Sequence, residues 1–165
     1  MTKIVVIGDI MLDRYYYCTN RNNPESSAPA YISSKKNIIY KPGGAGNVAA
    51  NLSSLKSDFK LVSLVGRDPE SAILINSLDE LKISHKLIYD PRRETIVKTR
   101  ALDILDGRYH FRFDIEDKIE ISENHVEEIV NEAKNSKFII ISDYNKGIIN
   151  SKLMSRLKSL DIPIL

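Results

Sequence analysis

Three groups of residues have types and spacings suited to ligand binding. The stretch KPGGAGNVAANLSSL, residues 41 to 55, holds three glycines in the four positions 43 to 46 and then opens into a helical pattern. Such a loop leaves backbone N–H groups free for hydroxyl or anionic oxygens, although a tight turn with positive φ would also need glycine. It matches neither the G-x-x-x-x-G-K-[ST] nor the G-x-G-x-x-G pattern. Both interpretations of the loop stay open.

Acidic side chains follow two apolar runs that are typical of buried strands. Asp9 ends KIVVIGD and Asp13 follows shortly, while Asp143 belongs to the polar group SDYNKG, which also contains Lys146. In open α/β sheets, ligands bind beyond the carboxyl ends of the parallel strands, where these residues would meet. The first two aspartates could accept hydrogen bonds from sugar hydroxyls, and Lys146 could contact a phosphate. Equally, Asp9 could cap a turn and Lys146 could be a solvated loop side chain.

An alternation of strands and helices is predicted to position these residues. Short apolar runs rich in β-branched residues predict buried strands, and apolar side chains three or four residues apart predict helices. Asp68 with Pro69, and Ser122, are expected to begin two of the helices. The predicted strands are KIVVIGD, FKLVSLVG, HKLIYD, KFIIISD and IPIL, and the helices start near residues 48, 70, 123 and 151. This order predicts an α/β fold with a mostly parallel sheet flanked by helices.

Two segments do not fit that core, residues 13 to 40 and residues 95 to 114. We expect both to form antiparallel strands outside the main sheet. In the second segment, the dipeptide Asp-Gly at 106 and 107 predicts a hairpin with a two-residue turn. That register would pair Arg100 with Phe113, and so would place an arginine on the apolar face of the hairpin.

Composition excludes several classes of function. The chain has 165 residues, 42% hydrophobic and 28% charged, with a net charge of +2, which predicts a globular domain without affinity for nucleic acid or a membrane surface. The single cysteine, Cys18, cannot form an intrachain disulfide and is compatible with the cytoplasm. The three histidines lie far apart and show no metal-ligand spacing.

Motifs along nearly the whole chain resemble those of the ribokinase-like (PfkB) carbohydrate kinases. GDIMLDRYYY is followed by KPGGAGN, then by TIVKTRALD, FRFDIED and ISDYNKG. Within that family they are most similar to the D-glycero-D-manno-heptose 7-phosphate kinases, which include the kinase domain of bifunctional ADP-heptose synthases. The resemblance implies that residues 1 to 165 are the N-terminal, substrate-binding half of a kinase domain. Segments 13 to 40 and 95 to 114 would form an antiparallel lid that closes over the sugar and could mediate a homodimer.

The resemblance also implies an activity and a set of binding residues. ATP and Mg²⁺ would support phosphorylation of the anomeric hydroxyl of heptose 7-phosphate, a cytoplasmic step toward ADP-heptose and lipopolysaccharide. The implied roles are Asp13 accepting hydrogen bonds from sugar hydroxyls, Gly43, Gly44 and Asn47 holding the sugar, Arg100 and Arg112 meeting its phosphate, and Asp143 and Lys146 lining the sugar end of the cleft.

The catalytic motif of the family, G-A-G-D, does not occur in this sequence. The similar GAGN at 44 to 47 ends in an amide, which cannot act as a general base at neutral pH. We therefore expect no catalytic residue and no metal ligand here, with the general base and most of the ATP pocket lying beyond Leu165. The chain alone is expected to be inactive. A kinase for another sugar, or a non-catalytic half-domain that binds a sugar phosphate, remains an alternative.

Overall fold

The computed structural model describes residues 3–165 and contains the predicted parallel sheet. Its strands, numbered along the chain, are β1 (Ile4–Gly8), β5 (Phe59–Val65), β6 (His85–Tyr89) and β9 (Phe138–Ser142). They lie in the order β6–β5–β1–β9, and every neighbouring pair is parallel. Val5 and Ile7 are buried on one face and Val6 on the other, which is why the strand is apolar throughout.

Two helices cover each face of this sheet. Helices α1 (Ala45–Ser54) and α2 (Pro69–Glu80) lie on one face, and α3 (Glu123–Ala133) and α4 (Ser151–Lys158) on the other. Asp68 accepts a hydrogen bond from the amide of Ser71 at 2.8 Å, and Ser122 accepts one from the amide of His125 at 3.4 Å. Both predicted caps are confirmed. No helix in the described part of the chain is long and apolar enough to cross a bilayer.

A second sheet stands outside the first and contains both segments that the sequence separated from the core. Its strands are β2 (Ile10–Arg21), β3 (Ala30–Ile32), β4 (Ile38–Gly44), β7 (Val97–Asp103) and β8 (Tyr109–Ile115). Three of its pairings are antiparallel, but β2 and β7 run parallel, so the sheet is mixed rather than antiparallel. Parallel neighbours need a long crossover connection, and here the chain between β2 and β7 supplies it by passing through part of the main sheet and two of its helices.

The hairpin of β7 and β8 has a different register from the predicted one. Arg100 pairs with Arg112 rather than with Phe113. The amide of Asp103 donates to the carbonyl of Arg108 at 2.8 Å, which closes a four-residue loop instead of a two-residue turn. A bulge beside the loop shifts the pairing further. The predicted register was therefore wrong because loop length, not the Asp-Gly dipeptide alone, sets the pairing.

The expected additional strand IPIL is represented by a short parallel pairing beside β9. Ile164 bridges Ile139, and the amide of Ile141 donates to the carbonyl of Leu165 at 2.9 Å. These residues therefore extend the parallel sheet at the edge formed by β9.

Candidate functional site

A cleft of about 450 Å³ lies between the second sheet and the carboxyl ends of the main strands. Alternate residues of neighbouring strands reach it, because side chains along a strand point alternately to its two faces. Its lining carries four cationic side chains and one carboxylate, which favours an anionic ligand. The lining residues are Met11, Asp13, Tyr15, Lys41, Pro42, Gly44, Asn47, Lys98, Arg100, Arg112 and Tyr144.

The carboxylate of Asp13 lies on the floor of this cleft. Its Oδ1 accepts a hydrogen bond from Nη1 of Arg100 at 2.7 Å. A Cβ atom at Gly43 would come within 2.5 Å of its Oδ2, so only glycine leaves room for the carboxylate there. Burial acts to lower the pKa of Arg100, but the hydrogen bond and the charge of Asp13 outweigh it, so that this pKa is raised. Arg100 is therefore cationic when the ligand arrives.

Two arginines face each other across strands β7 and β8. Arg100 and Arg112 are direct partners in the antiparallel register, where like charges repel each other. Asp114 holds Arg112 through two hydrogen bonds of 2.8 Å and 2.6 Å. The hydrogen bond to Asp114 raises the pKa of Arg112, and the arginine in turn lowers the pKa of Asp114. A phosphate between the two guanidinium groups would relieve their repulsion, and bidentate contacts to phosphate are the geometry that arginine favours.

The glycine loop forms the turn that starts α1. Gly44 has φ 58° and ψ −126°, a conformation that favours glycine, and no side chain caps the helix. The amide of Ala45 donates to the carbonyl of Asp9 at 2.9 Å. Asn47, in the first turn of the helix, is exposed and lines the cleft. The loop thus combines tight-turn geometry with a helix N-terminus, whose uncapped N–H groups suit ligand oxygens.

Asp9 is not available to a sugar hydroxyl, although the sequence allowed that role. The residue is fully buried, and its carboxylate accepts hydrogen bonds from three backbone amides. Tyr144 donates to Oδ2 at 2.8 Å, Lys146 to Oδ2 at 3.1 Å and Ile148 to Oδ1 at 3.3 Å. The alternative interpretation, that Asp9 organises a turn, agrees with these contacts.

Asp143 and Lys146 do not line the cleft. Asp143 is exposed and accepts a hydrogen bond from the amide of Asn145 at 2.7 Å. The ammonium group of Lys146 lies 2.6 Å from Oε1 of Glu116, a residue that the sequence analysis did not single out. The other six predicted binding residues lie at the cleft, with Gly43 beneath Asp13 and the remaining five in its lining.

Six lining residues were missed by the prediction from sequence, namely Met11, Tyr15, Lys41, Pro42, Lys98 and Tyr144. Tyr15 was expected only to pack on a neighbouring strand, yet its ring lies 5.1 Å from the guanidinium of Arg100 and 5.6 Å from Nζ of Lys41. Lys98 lies 6.0 Å from the ring centre of Tyr144. A two-residue period from Asp13 would have found Tyr15, and the same period from Arg100 would have found Lys98.

A family profile described as pfkB family carbohydrate kinase matches residues 1–161. Bifunctional protein HldE from Vibrio vulnificus is 32% identical over 166 residues, which cover 98% of this chain and 34% of that protein. The chain therefore spans about a third of the length of the curated relatives it matches.

Solved structures share the same fold. Escherichia coli phosphofructokinase-2, in complex with fructose-6-phosphate, superposes with a TM-score of 0.72 at 17% identity, covering 100% of this chain and 54% of that one. Ribokinase from Giardia lamblia gives a TM-score of 0.68 at 16% identity, covering 98% of this chain and 51% of that one. These likenesses confirm the predicted ribokinase-like α/β fold.

Proposed function

Because the chain belongs to the pfkB family of carbohydrate kinases, we propose that it forms the sugar-binding part of an ATP-dependent kinase acting on D-glycero-D-manno-heptose 7-phosphate. The anomeric hydroxyl would be the acceptor, in the cytoplasmic route to ADP-heptose and lipopolysaccharide. The observation that carries the proposal is the arginine pair Arg100 and Arg112 beside the carboxylate of Asp13 in one cleft. Such a site can bind a phosphate and a hydroxyl of the same molecule. The motif resemblance and the similarity to HldE support the heptose.

Each polar group of the cleft has a role in this proposal. Asp13 accepts hydrogen bonds from sugar hydroxyls, while Gly43 and Gly44 bring the backbone close to the sugar. Asn47 contributes its amide, which can both donate and accept. Arg100 and Arg112 bind the phosphate that the substrate already carries. Asp143 and Lys146 lie outside the cleft lining, and we propose that they border its sugar end.

ATP and Mg²⁺ would serve the complete kinase, but the described residues do not fit a metal site. Among residues 3–165 no group of three or more histidine, cysteine, aspartate or glutamate side chains could hold a metal ion. Asn47 cannot take a proton from the acceptor hydroxyl at neutral pH. We therefore derive no phosphoryl-transfer step from this chain and expect no turnover from it alone, because transfer needs nucleotide, metal and acceptor positioned together.

Calorimetry on the 165-residue chain tests the substrate. Heptose 7-phosphate should bind at least about tenfold more tightly than fructose 6-phosphate or ribose 5-phosphate, a difference of roughly 1.4 kcal/mol. Tighter binding of another sugar phosphate would assign the site to a different kinase of the family. Turnover with ATP and Mg²⁺ would contradict the absence of a catalytic group.

The arginine pair predicts how a substitution should separate phosphate binding from sugar binding. Arg112→Gln should weaken heptose 7-phosphate binding by about ten- to a hundredfold, since a charge-assisted contact is worth roughly 1.5–3 kcal/mol. Binding of the unphosphorylated heptose should not change. Arg108→Gln is the matched control, because Arg108 also pairs with an aspartate two residues away but is exposed at the hairpin loop. Equal losses for both sugars would contradict a phosphate contact.

The outer face of the second sheet supports a homodimer. Phe111 and Phe113 pair with Ala101 and Thr99, and their side chains therefore point away from the face that bears Arg112. Their exposed fractions are 43% and 59%, an unusual amount of aromatic surface for one hairpin. We propose that a second copy covers this face.

Phe113→Asp should weaken that dimer at least about tenfold, because a charge would enter an apolar interface. Sedimentation equilibrium measures the change. Leu55→Asp is the control, since Leu55 is 74% exposed at the end of α1, outside the second sheet. A monomeric parent protein, or equal behaviour of the two variants, would exclude this interface.

A further inference from the structure

One carboxylate connects the second sheet to the loop that follows β9. Glu116 comes directly after β8, and its Oε1 lies 2.6 Å from Nζ of Lys146. Its Oε2 lies 3.9 Å from Nζ of Lys98, a residue of β7 that lines the cleft. The carboxylate is thus shared between a lysine of the second sheet and a lysine that belongs to the main sheet's loops.

Two further hydrogen bonds join the two segments. Lys118 donates to Oδ1 of Asn145 at 2.7 Å, and the amide of Ile121 donates to the carbonyl of Gly147 at 3.1 Å. The contact of Glu116 with Lys146 differs from these two because it involves a carboxylate. The same carboxylate also approaches Lys98, a cation of the cleft. These two hydrogen bonds join the segments independently of that carboxylate.

Lys98 is weakly engaged for a lysine in this position. Only 13% of its side chain is exposed, and among residues 3–165 its one ion pair is the long contact to Glu116. It pairs across the strands with Asp13 on one side and Asp114 on the other, next to the two arginines. A dianion held by Arg100 and Arg112 would therefore attract Lys98 more strongly than a carboxylate 3.9 Å away does.

We propose that Glu116 is a positioning residue that competes with the anionic group of the ligand for Lys98. Without a ligand, the carboxylate of Glu116 is shared between Lys146 and Lys98; with one, Lys98 turns to the anion and Glu116 keeps its contact to Lys146. This rests on the proposed function, because it takes the anion to be the phosphate of the sugar. The charge of Glu116 therefore lowers the affinity of the cleft for the anion, because it draws Lys98 away.

Two substitutions that each remove one negative charge test this proposal. Glu116→Gln removes the competing charge, and Asp117→Asn removes the same charge one residue further along, where no ion pair is present among the described residues. Calorimetry with inorganic phosphate, on the whole 165-residue chain, should give about three- to tenfold tighter binding for Glu116→Gln than for the unchanged protein. Asp117→Asn should change it less than about twofold.

The outcomes separate this inference from the proposed function. If Glu116→Gln binds phosphate no better than Asp117→Asn, or binds it worse, Glu116 is only structural and the inference is wrong. If Glu116→Gln tightens phosphate binding but heptose 7-phosphate does not bind, the inference holds and the substrate assignment fails. If neither the unchanged protein nor either variant binds phosphate, the inference about Glu116 and the proposed phosphate site are both wrong. Thermal unfolding of each variant confirms that the chain is folded.

Discussion

Replacing Asp9 with alanine should lower the free energy of unfolding by about 2–4 kcal/mol. The carboxylate is fully buried at the joint between β1 and β2, and it accepts the amides of Tyr144, Lys146 and Ile148. Alanine would leave these donors without their partner, and a hydrogen bond to a charged group contributes more than a neutral one. For a chain of this size, that loss corresponds to a fall in Tm of roughly 5–15 °C, measurable by calorimetry.

Asp143→Ala is the appropriate control for this substitution. Asp143 lies in the loop that carries the amides bound by Asp9, but it is exposed and accepts a single backbone amide, that of Asn145. Its replacement should cost less than about 1 kcal/mol. Similar losses for the two variants would show that the three amides do not depend on Asp9. The comparison therefore isolates the buried carboxylate from general effects of removing an acid near the cleft.

Gly44→Ala should be similarly severe, with a loss of about 2–5 kcal/mol. The residue has φ 58° and ψ −126°, and an added Cβ would lie 2.3 Å from the carbonyl oxygen of Asp9. That carbonyl accepts the amide of Ala45, so relieving the clash would displace the start of α1. Because Gly44 also lines the cleft, sugar-phosphate affinity should fall together with stability.

Gly107→Ala separates backbone strain from this close approach. Gly107 also has positive φ, 72°, but nothing lies within 4 Å of a Cβ built on it. Its replacement should cost about 1–2 kcal/mol, the strain of the left-handed conformation alone. Chemical denaturation of both variants gives the two values. If Gly44→Ala lowers the free energy of unfolding no more than Gly107→Ala does, the loop that precedes α1 can move away from the carbonyl of Asp9 without destabilising the fold.

Local signals in the sequence were sufficient for most of the main sheet and its helices. The apolar runs that form β1, β5, β6 and β9, and the capping side chains Asp68 and Ser122, act over a few neighbouring residues. Eight binding residues were expected from the sequence motifs, and six of them lie at one cleft in the structure. Asp143 and Lys146 are the exceptions. Their roles toward a ligand stay predictions.

Long-range contacts decided the rest. The sequence determined the elements, their order and the glycine loop, because propensity, capping and hydrophobic period depend on nearby residues. Only the tertiary structure set Arg100 opposite Arg112, turned Asp9 inward to three amides, and brought Glu116 to Lys146. A two-residue period is equally compatible with several strand registers. Which charges meet therefore depends on how distant segments pack, and no local pattern in the sequence specifies that.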